Sequence, residues 1–238
     1  MRLDKLLCKS TELTKPEAIQ CIHAGDVLVN GMLAVNEAMQ VHENNVVLLN
    51  GVKLVPRAFR YLLLHKPANT VCSNIDEAYP SVFHCLDIDK VSELHIAGRL
   101  DADTTGLVLI TDDGRWSFHI TSPKNACRKV YRVGLSRAMS NDAAADISEK
   151  FAKGIQLQGE DKLTLPADLE ILTPKEVLLT ITEGRFHQVK RMFAAVGNRV
   201  VSLHREQIGD VYLDVEVGQW RYLTEPEIAS LGKYSVDK

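Results

Sequence analysis

The sequence predicts an α+β protein of two unequal parts. A small module of helices and short strands covers residues 1–56, and a mixed, mainly antiparallel sheet with a central cleft covers residues 60–234. Apolar stretches typical of strands dominate after residue 60 and do not alternate regularly with helical patterns, which argues against a doubly wound parallel sheet. The 238 residues also exceed the usual size of one domain.

The small module shows the signals of two helices followed by short strands. One helix is predicted over residues 3–7, and a second begins after Thr14, which has the T-x-x-E capping spacing with Glu17. Gly25 is placed to end this second helix. Strands are then predicted at residues 27–29 and 46–49. Each is followed by a tight turn, at residues 30–31 and 50–51 respectively. Because so small a module has a small hydrophobic core, we expect RNA or the larger domain to stabilise it. Residues 52–59 are predicted to be the linker between the two parts.

In the larger domain, apolar segments alternate with polar ones. Strands are predicted at residues 61–64, 107–111, 130–135 and 177–182. The best helical pattern covers residues 189–196, where apolar side chains recur at positions i, i+3, i+4 and i+7. Gly197 is placed to end this helix, and Lys190 and Arg191 point away from its apolar face.

Charge is unevenly distributed along the chain. Residues 115–137 contain six Lys or Arg and no acid, and residues 185–205 contain five, also with no acid. Because the net charge of the whole chain is −3, the remaining residues carry −14. These two stretches are either solvated faces whose acids lie nearby in space, or contacts for a phosphate-rich partner such as nucleic acid.

Composition excludes several classes of protein. The chain is 45% hydrophobic and 25% charged, as in ordinary globular proteins. It has no apolar run of roughly eighteen residues for a membrane span, and its first residues are too charged for a secretory signal. Five widely spaced cysteines without a CxxC pair indicate neither a disulfide framework nor a zinc site. We therefore expect a cytoplasmic protein without a metal.

Residues 98–107 hold the densest set of reactive side chains, with an arginine, two carboxylates and two hydroxyls before an apolar strand. The pattern fits a polar loop in which Asp and Thr cap turns. It also matches the D-x-D-x-T motif of phosphatases of the haloacid dehalogenase type, which bind magnesium between the carboxylates. That second interpretation needs a buried strand before the motif, and residues 95–99 make a poor one.

The same segment also resembles the signature of the pseudouridine synthases. LHKP at residues 64–67, KVYRV at 129–133 and EGRFHQVKRM at 183–192 resemble three further segments of that family in the same order, although Asn69 stands where glycine is usual. The first 50 residues, with RLDKLL and AGDVLVNG, resemble the alpha-L type RNA-binding module first described in ribosomal small-subunit protein four. Here the chain departs from the module at Lys15-Pro16, where Ser-Arg is usual.

This resemblance implies an isomerase that moves uracil from a nitrogen to a carbon linkage without metal or organic cofactor. It assigns the nucleophile to Asp101, its cationic partner to Arg185, and stacking on the base to Tyr131. His187 is expected to be structural or to face phosphate. The residues expected to contact RNA are Arg2, Lys5, Lys9 and Lys15 in the module, and Arg99, Lys124, Arg128, Lys129, Arg132, Lys190, Arg191 and Arg205 in the larger domain.

The resemblance also implies a substrate and a setting. We expect a monomer that modifies one uridine in 16S ribosomal RNA, within a partly assembled small subunit. Relatives with the same motifs act on large-subunit RNA, so that alternative stays open. A non-catalytic RNA-binding assembly factor is the remaining alternative, because the module alone would fit it.

Overall fold

The computed structural model describes residues 1–232, so residues 233–234 of the predicted larger domain lie outside the described residues. The chain divides into two compact units, Met1–Phe59 and a second that begins at Arg60. The helices are α1 Leu3–Ser10, α2 Lys15–Ala24, α3 Gly114–Thr121, α4 Asn141–Lys153, α5 Gln188–Ala195 and α6 Glu225–Gly232. The first unit contains α1 and α2, and the second contains the other four.

The first unit packs α1 and α2 against a four-stranded antiparallel sheet of order β2-β1-β3-β4. Its strands are β1 Val27–Val29, β2 Met32–Leu33, β3 Val47–Leu49 and β4 Val52–Lys53. The predicted capping box is present, with the backbone N–H of Thr14 donating to Glu17 Oε2 at 2.7 Å. Gly25 ends α2 in the left-handed conformation, with φ 87°.

The linker prediction was wrong at its start. Residues 52–53 form β4, which pairs with β3, because Asn50 and Gly51 both adopt positive φ, 48° and 79°. That backbone makes a two-residue hairpin turn whose twist matches the strands on either side. The chain therefore returns along β3 before it leaves the unit.

The second unit is built on a nine-stranded mixed sheet with the main order β13-β5-β7-β11-β8-β10-β9. Its strands are β5 Tyr61–Lys66, β6 His95–Ala97, β7 Thr105–Thr111, β8 Lys129–Leu135, β9 Asp168–Thr173, β10 Glu176–Ile181, β11 Val200–Ile208, β12 Val211–Tyr212 and β13 Trp220–Tyr222. Every described pairing in this sheet is antiparallel except β7 with β11. This confirms the predicted α+β class.

Apolar layers cover both faces of the large sheet. In β5, Leu62 and Leu64 belong to one core and Leu63 to the other, as the two-residue period of a strand requires. The first core includes Phe151 of α4 and Phe193 of α5, whereas α3 and α6 pack on the opposite face. Fully burying one such side chain stabilises the fold by about 1.5–3 kcal/mol, so both layers hold the sheet rigidly.

Gly106 allows the parallel strands β7 and β11 to approach each other where the site begins. It pairs with Arg205, and a Cβ added at Gly106 would collide with the Arg205 backbone. Its φ of 110° is also unfavourable for residues with a side chain. The loop that precedes this glycine, between β6 and β7, is therefore fixed against the centre of the sheet.

Candidate functional site

Asp101 lies in the loop between β6 and β7, with its side chain 30% exposed. Its carbonyl accepts a hydrogen bond from the Thr104 N–H at 3.1 Å, which closes a tight turn around the carboxylate. The ammonium of Lys190 donates to Oδ2 at 3.0 Å, and Nε2 of His187 lies 3.4 Å from Oδ1. Each of the two carboxylate oxygens thus lies close to a side-chain nitrogen.

Lys190 bridges two carboxylates, because its ammonium also donates to Asp103 Oδ1 at 2.7 Å. Burial alone would lower the pKa of Lys190, but hydrogen bonds to Asp103 and Asp101 outweigh it and raise the pKa. The hydrogen bond from Lys190 lowers the pKa of Asp103 in turn. Lys190 points away from the apolar face of α5, as the sequence predicts, and that direction brings it to Asp101.

A second lysine stabilises the backbone of the loop that carries Asp101. Lys66, the last residue of β5, is fully buried and donates to the carbonyls of Pro67, Ala102 and Thr104 at 3.1, 3.2 and 2.8 Å. Burial lowers its pKa. Two of its three acceptors lie within the three residues after Asp101, so Lys66 fixes the backbone that presents the carboxylate.

The expected ion pair between Arg185 and Asp101 was wrong. The guanidinium of Arg185 instead contacts Glu160 at 2.8 Å and Glu183 at 3.1 Å. It also donates to the carbonyls of residues 162 and 163 at 2.8 and 2.6 Å. Burial opposes the charged form, but the two carboxylates raise the pKa of Arg185. These acceptors occupy all three guanidinium nitrogens, while Lys190 takes the place beside Asp101.

Tyr131 lies in the wall of the same cleft, on the face of β8 that points to the core, and is only 7% exposed. Its hydroxyl accepts a hydrogen bond from Nη1 of Arg205 at 3.2 Å. Arg205 is 1% exposed, and its other nitrogens donate to the carbonyls of Leu107 at 2.7 Å and Gly98 at 2.8 Å. Arg205 thus holds the phenol in place from within the sheet.

These side chains meet in a cavity of 390 Å³, within the size range of ligand-binding sites. Asp101, Tyr131, Arg185 and His187 line it, together with the exposed side chain of Arg99. A smaller adjoining pocket of 100 Å³ shares these five residues and adds Lys190. The three sequence segments that hold Asp101, Tyr131 and Arg185 therefore converge, although the polar contacts to the carboxylate come from Lys190 and His187.

Several residues that we expected on an RNA-contacting surface are not available there. Lys9 is buried over the ring of Phe59, 3.4 Å from its centroid. Lys129 is buried on the core-facing side of β8, donates to the carbonyl of Cys127 at 2.9 Å, and has its pKa lowered by burial. Arg205 is the third buried cation. Each of these positive charges is engaged by an aromatic ring or by backbone carbonyls, so none of the three is an exposed cation, although Lys129 and Arg205 line the 390 Å³ cavity.

Two further cations are engaged by acids. Arg132 points to the opposite face of β8 from Tyr131 and contacts Glu206 at 2.5 Å and Glu176 at 3.2 Å. Arg191 contacts Glu160 at 2.7 Å. The expected RNA contacts that remain exposed are Arg2, Lys15, Arg99, Lys124 and Arg128, with Lys5 half-buried.

Sequence reasoning missed three contributors to this site: His187, Lys66 in its supporting role, and Glu160. The KP dipeptide at residues 66–67 was noticed only as part of a family segment. No local signal marks Glu160, which lies 25 residues before the arginine that it contacts. Among residues 1–232, no group of three or more His, Cys, Asp or Glu side chains is arranged to hold a metal ion. No helix in that range is both long and apolar enough to cross a membrane.

Comparison with known proteins identifies the family. The model of the family described as RNA pseudouridylate synthase matches residues 60–195, more than half of the chain. The chain belongs to the RNA pseudouridylate synthase family. This confirms the resemblance found in the four sequence segments, and it places Asp101, Tyr131 and Lys190 within the matched region of the synthase.

Close relatives cover nearly the whole synthase chain. Proteins named ribosomal small subunit pseudouridine synthase A are 52% identical in Vibrio parahaemolyticus and 48% identical in Escherichia coli K12, each over 97% of this chain and at least 99% of the relative. A crystal structure of a pseudouridylate synthase matches with a TM-score of 0.69 and 45% identity, over 97% of this chain and 99% of that one. The similarity therefore includes the first unit as well as the second.

The geometry suits the chemistry of a pseudouridylate synthase. The reaction breaks a carbon–nitrogen bond and forms a carbon–carbon bond on the same base, so it needs a nucleophile and a positioned ring rather than a redox group. A partly exposed carboxylate held by one ammonium is a competent nucleophile. The cavity beside it is walled by a fixed aromatic ring, which is suited to contact a flat base.

Proposed function

We propose that this synthase converts one uridine of small-subunit ribosomal RNA into pseudouridine, with Asp101 as the nucleophile. One observation carries the proposal: the carboxylate of Asp101 lies in a cleft between the ammonium of Lys190 and the imidazole of His187. The names of the relatives support small-subunit RNA as the substrate, because they are about half identical to this chain over nearly all of its length.

In the proposed reaction, the uridine leaves the RNA stack and its uracil enters the cleft beside Tyr131. The Asp101 carboxylate attacks one of two electron-poor carbons, C1′ of the ribose or C6 of the uracil. The bond between N1 and C1′ breaks, the ring turns, and C5 bonds to C1′. The bond between Asp101 and the carbon that it attacked then breaks, which restores the free carboxylate. The proton on C5 is lost and N1 gains one, so the RNA keeps its mass and charge.

The proposed role of Lys190 is to hold the carboxylate of Asp101 in one orientation through a charge-assisted hydrogen bond. Tyr131 contacts the flat face of the uracil, supported by Arg205 behind it. The proposed role of Arg185 is to maintain the shape of the cleft, because its positive charge is paired with Glu160 and Glu183. Lys66 keeps the loop of Asp101 in register with the sheet.

RNA would reach the cleft across exposed cations. Arg99 lies in the cleft itself, and Lys124 and Arg128 lie on the surface of the second unit. In the first unit, Lys15 at the start of α2 is exposed, and Arg2 is exposed beside its partner Asp4. We propose that this unit is an RNA-binding module, and that the enzyme acts as a cytoplasmic monomer on a partly assembled small subunit.

The proposal is tested with small-subunit ribosomal RNA that carries tritium at carbon five of uracil. Asp101→Asn keeps the size of the side chain and removes its charge, and we expect tritium release to fall below detection while RNA affinity changes little. Asp103→Asn is the matched control and should be milder, because the Asp103 side chain is 71% exposed and does not line the cleft. Full activity in Asp101→Asn would overturn the proposal.

The same preparations separate the alternatives. A carbodiimide adduct that resists alkali marks pseudouridine and maps the modified position in small- or large-subunit RNA. A phosphatase would instead release inorganic phosphate, with equal loss of activity in both aspartate variants. An assembly factor would bind RNA without tritium release in any variant.

A further inference from the structure

Phe186 is an exposed aromatic ring at the rim of the cleft. Its side chain is 76% exposed, although it lines the 390 Å³ cavity together with Asp101 and Tyr131. A single exposed apolar side chain needs no explanation by itself, but a ring that lines a functional cleft is available to a partner that enters the cleft. The chemistry proposed above gives this ring no role.

The ring is held in a fixed position. It stacks on the imidazole of His187, with centroids 3.8 Å apart and planes inclined by 20°. The carbonyl of Phe186 accepts a hydrogen bond from Nη1 of Arg191 at 3.0 Å, which fixes the backbone below it. His187 has a left-handed backbone with φ 46°, and its Nε2 lies 3.4 Å from Asp101. One face of the phenyl ring is therefore covered, and most of the remainder faces solvent.

We propose that Phe186 is a stacking platform for the RNA base next to the uridine that is modified. This inference rests on the proposed function and deepens it. Every nucleobase offers a flat π-face, and single-stranded RNA is commonly bound by bases stacked on aromatic side chains beside basic groups. Exposed Arg99 provides a positive charge in the same cleft for the phosphates of that strand.

Stacking on Phe186 also positions the neighbouring base relative to Asp101. Because Phe186 stacks on His187 and His187 faces Asp101, a base on the outer face of the phenyl ring is placed in register with the carboxylate. When the uridine leaves the RNA stack, its stacking on the adjacent base is lost. Stacking of that adjacent base on Phe186 offsets the loss of free energy. Phe186 thus acts as a positioning residue for the strand, while Tyr131 contacts the uracil.

The test compares three variants on naked ribosomal RNA. Phe186→Leu removes the π-face, Phe186→Trp keeps one, and Phe118→Leu removes another exposed phenylalanine, 70% exposed on α3 and outside both pockets. Loss of one base–aromatic stack weakens affinity by roughly 5- to 150-fold. We expect KM for Phe186→Leu to rise within that range, with the effect concentrated in KM rather than kcat. Phe186→Trp and Phe118→Leu should resemble the wild type.

A second arm identifies the occupant. Once the modified uridine has been mapped, an abasic nucleotide is placed on each side of it in turn. An abasic nucleotide in place of the base that stacks on Phe186 should raise KM of the wild type. It should cause no further rise of KM in Phe186→Leu, because the base and the ring form one contact. Additive effects on both sides, or a normal KM in Phe186→Leu, would overturn the proposal. An effect of Phe186→Leu on assembled particles but not on naked RNA would assign the ring to a protein contact and also overturn it.

These outcomes are separable from the proposed function. A wild-type enzyme that releases no tritium from ribosomal RNA, either naked or in a partly assembled small subunit, contradicts the function itself. A wild-type enzyme that turns over normally, with Phe186→Leu indistinguishable from Phe118→Leu, contradicts only the platform.

Discussion

Replacing Lys190 by Met tests whether this lysine, rather than Arg185, holds the nucleophile in position. Lys190→Met removes the ammonium 3.0 Å from Asp101 and 2.7 Å from Asp103, and keeps a long unbranched side chain. Lys190 is 27% exposed and does not belong to the apolar face of α5, so the variant should fold. Two carboxylates are then left near each other without a cation between them.

The magnitude follows from this geometry. Two unit charges 3.0 Å apart interact by roughly 5 kcal/mol at an effective dielectric constant of about 20, which is an upper bound. A hydrogen bond to a charged group contributes about 1.5–3 kcal/mol net, so kcat/KM at neutral pH should fall by about 10- to 150-fold.

The assay is tritium release at neutral pH, with three comparison variants. Lys190→Arg keeps a cation in place and should lose less activity than Lys190→Met. Lys175→Met removes an exposed lysine in the turn between β9 and β10 and controls for net charge. Arg185→Met should also lose less activity than Lys190→Met, because its guanidinium contacts Glu160 and Glu183 and not Asp101. A wild-type kcat/KM in Lys190→Met, or a loss in Arg185→Met as large as that in Lys190→Met, would refute this reasoning.

Two further expectations concern the supports of the cleft. Tyr131→Phe leaves Nη1 of buried Arg205 without its acceptor, so the free energy of unfolding in urea should fall by about 1–3 kcal/mol, whereas Tyr222→Phe on the surface should change little. The two arginines that contact Glu160 lower its pKa below 4.5, so the stability from these pairs is present above that pH and lost as the pH falls through the folded-state pKa. The melting temperature of Glu160→Gln should therefore be below that of the wild type at pH 7, and the two should converge in acid. A difference in melting temperature that does not change with pH would contradict this, and Glu149→Gln is the control variant.

Elements with a clear period or a strong turn signal were predictable from the sequence, and the central strand β11 was not. The turn at Asn50-Gly51 and the apolar face of α5 are local signals, although the short strand after that turn was assigned to the linker. β11 carries four consecutive polar residues, 204–207, in the middle of the sheet. Arg205 is buried there only because acceptors at residues 98, 107 and 131 surround it. A local pattern contains no information about acceptors that lie 74 to 107 positions away.

The same limit explains why the sequence suggested the wrong cation for Asp101. Arg185 and Lys190 lie five residues apart in one basic stretch, and either charge suits a carboxylate. Two acids decide between them: Glu183, two residues before Arg185, and Glu160, which folds back from 25 residues away. Together they engage Arg185 and leave Lys190, on the polar side of α5, to reach Asp101. Partner choice among like charges is thus set by where the opposite charges lie in space, and a motif that records only residue types and spacing does not contain that information.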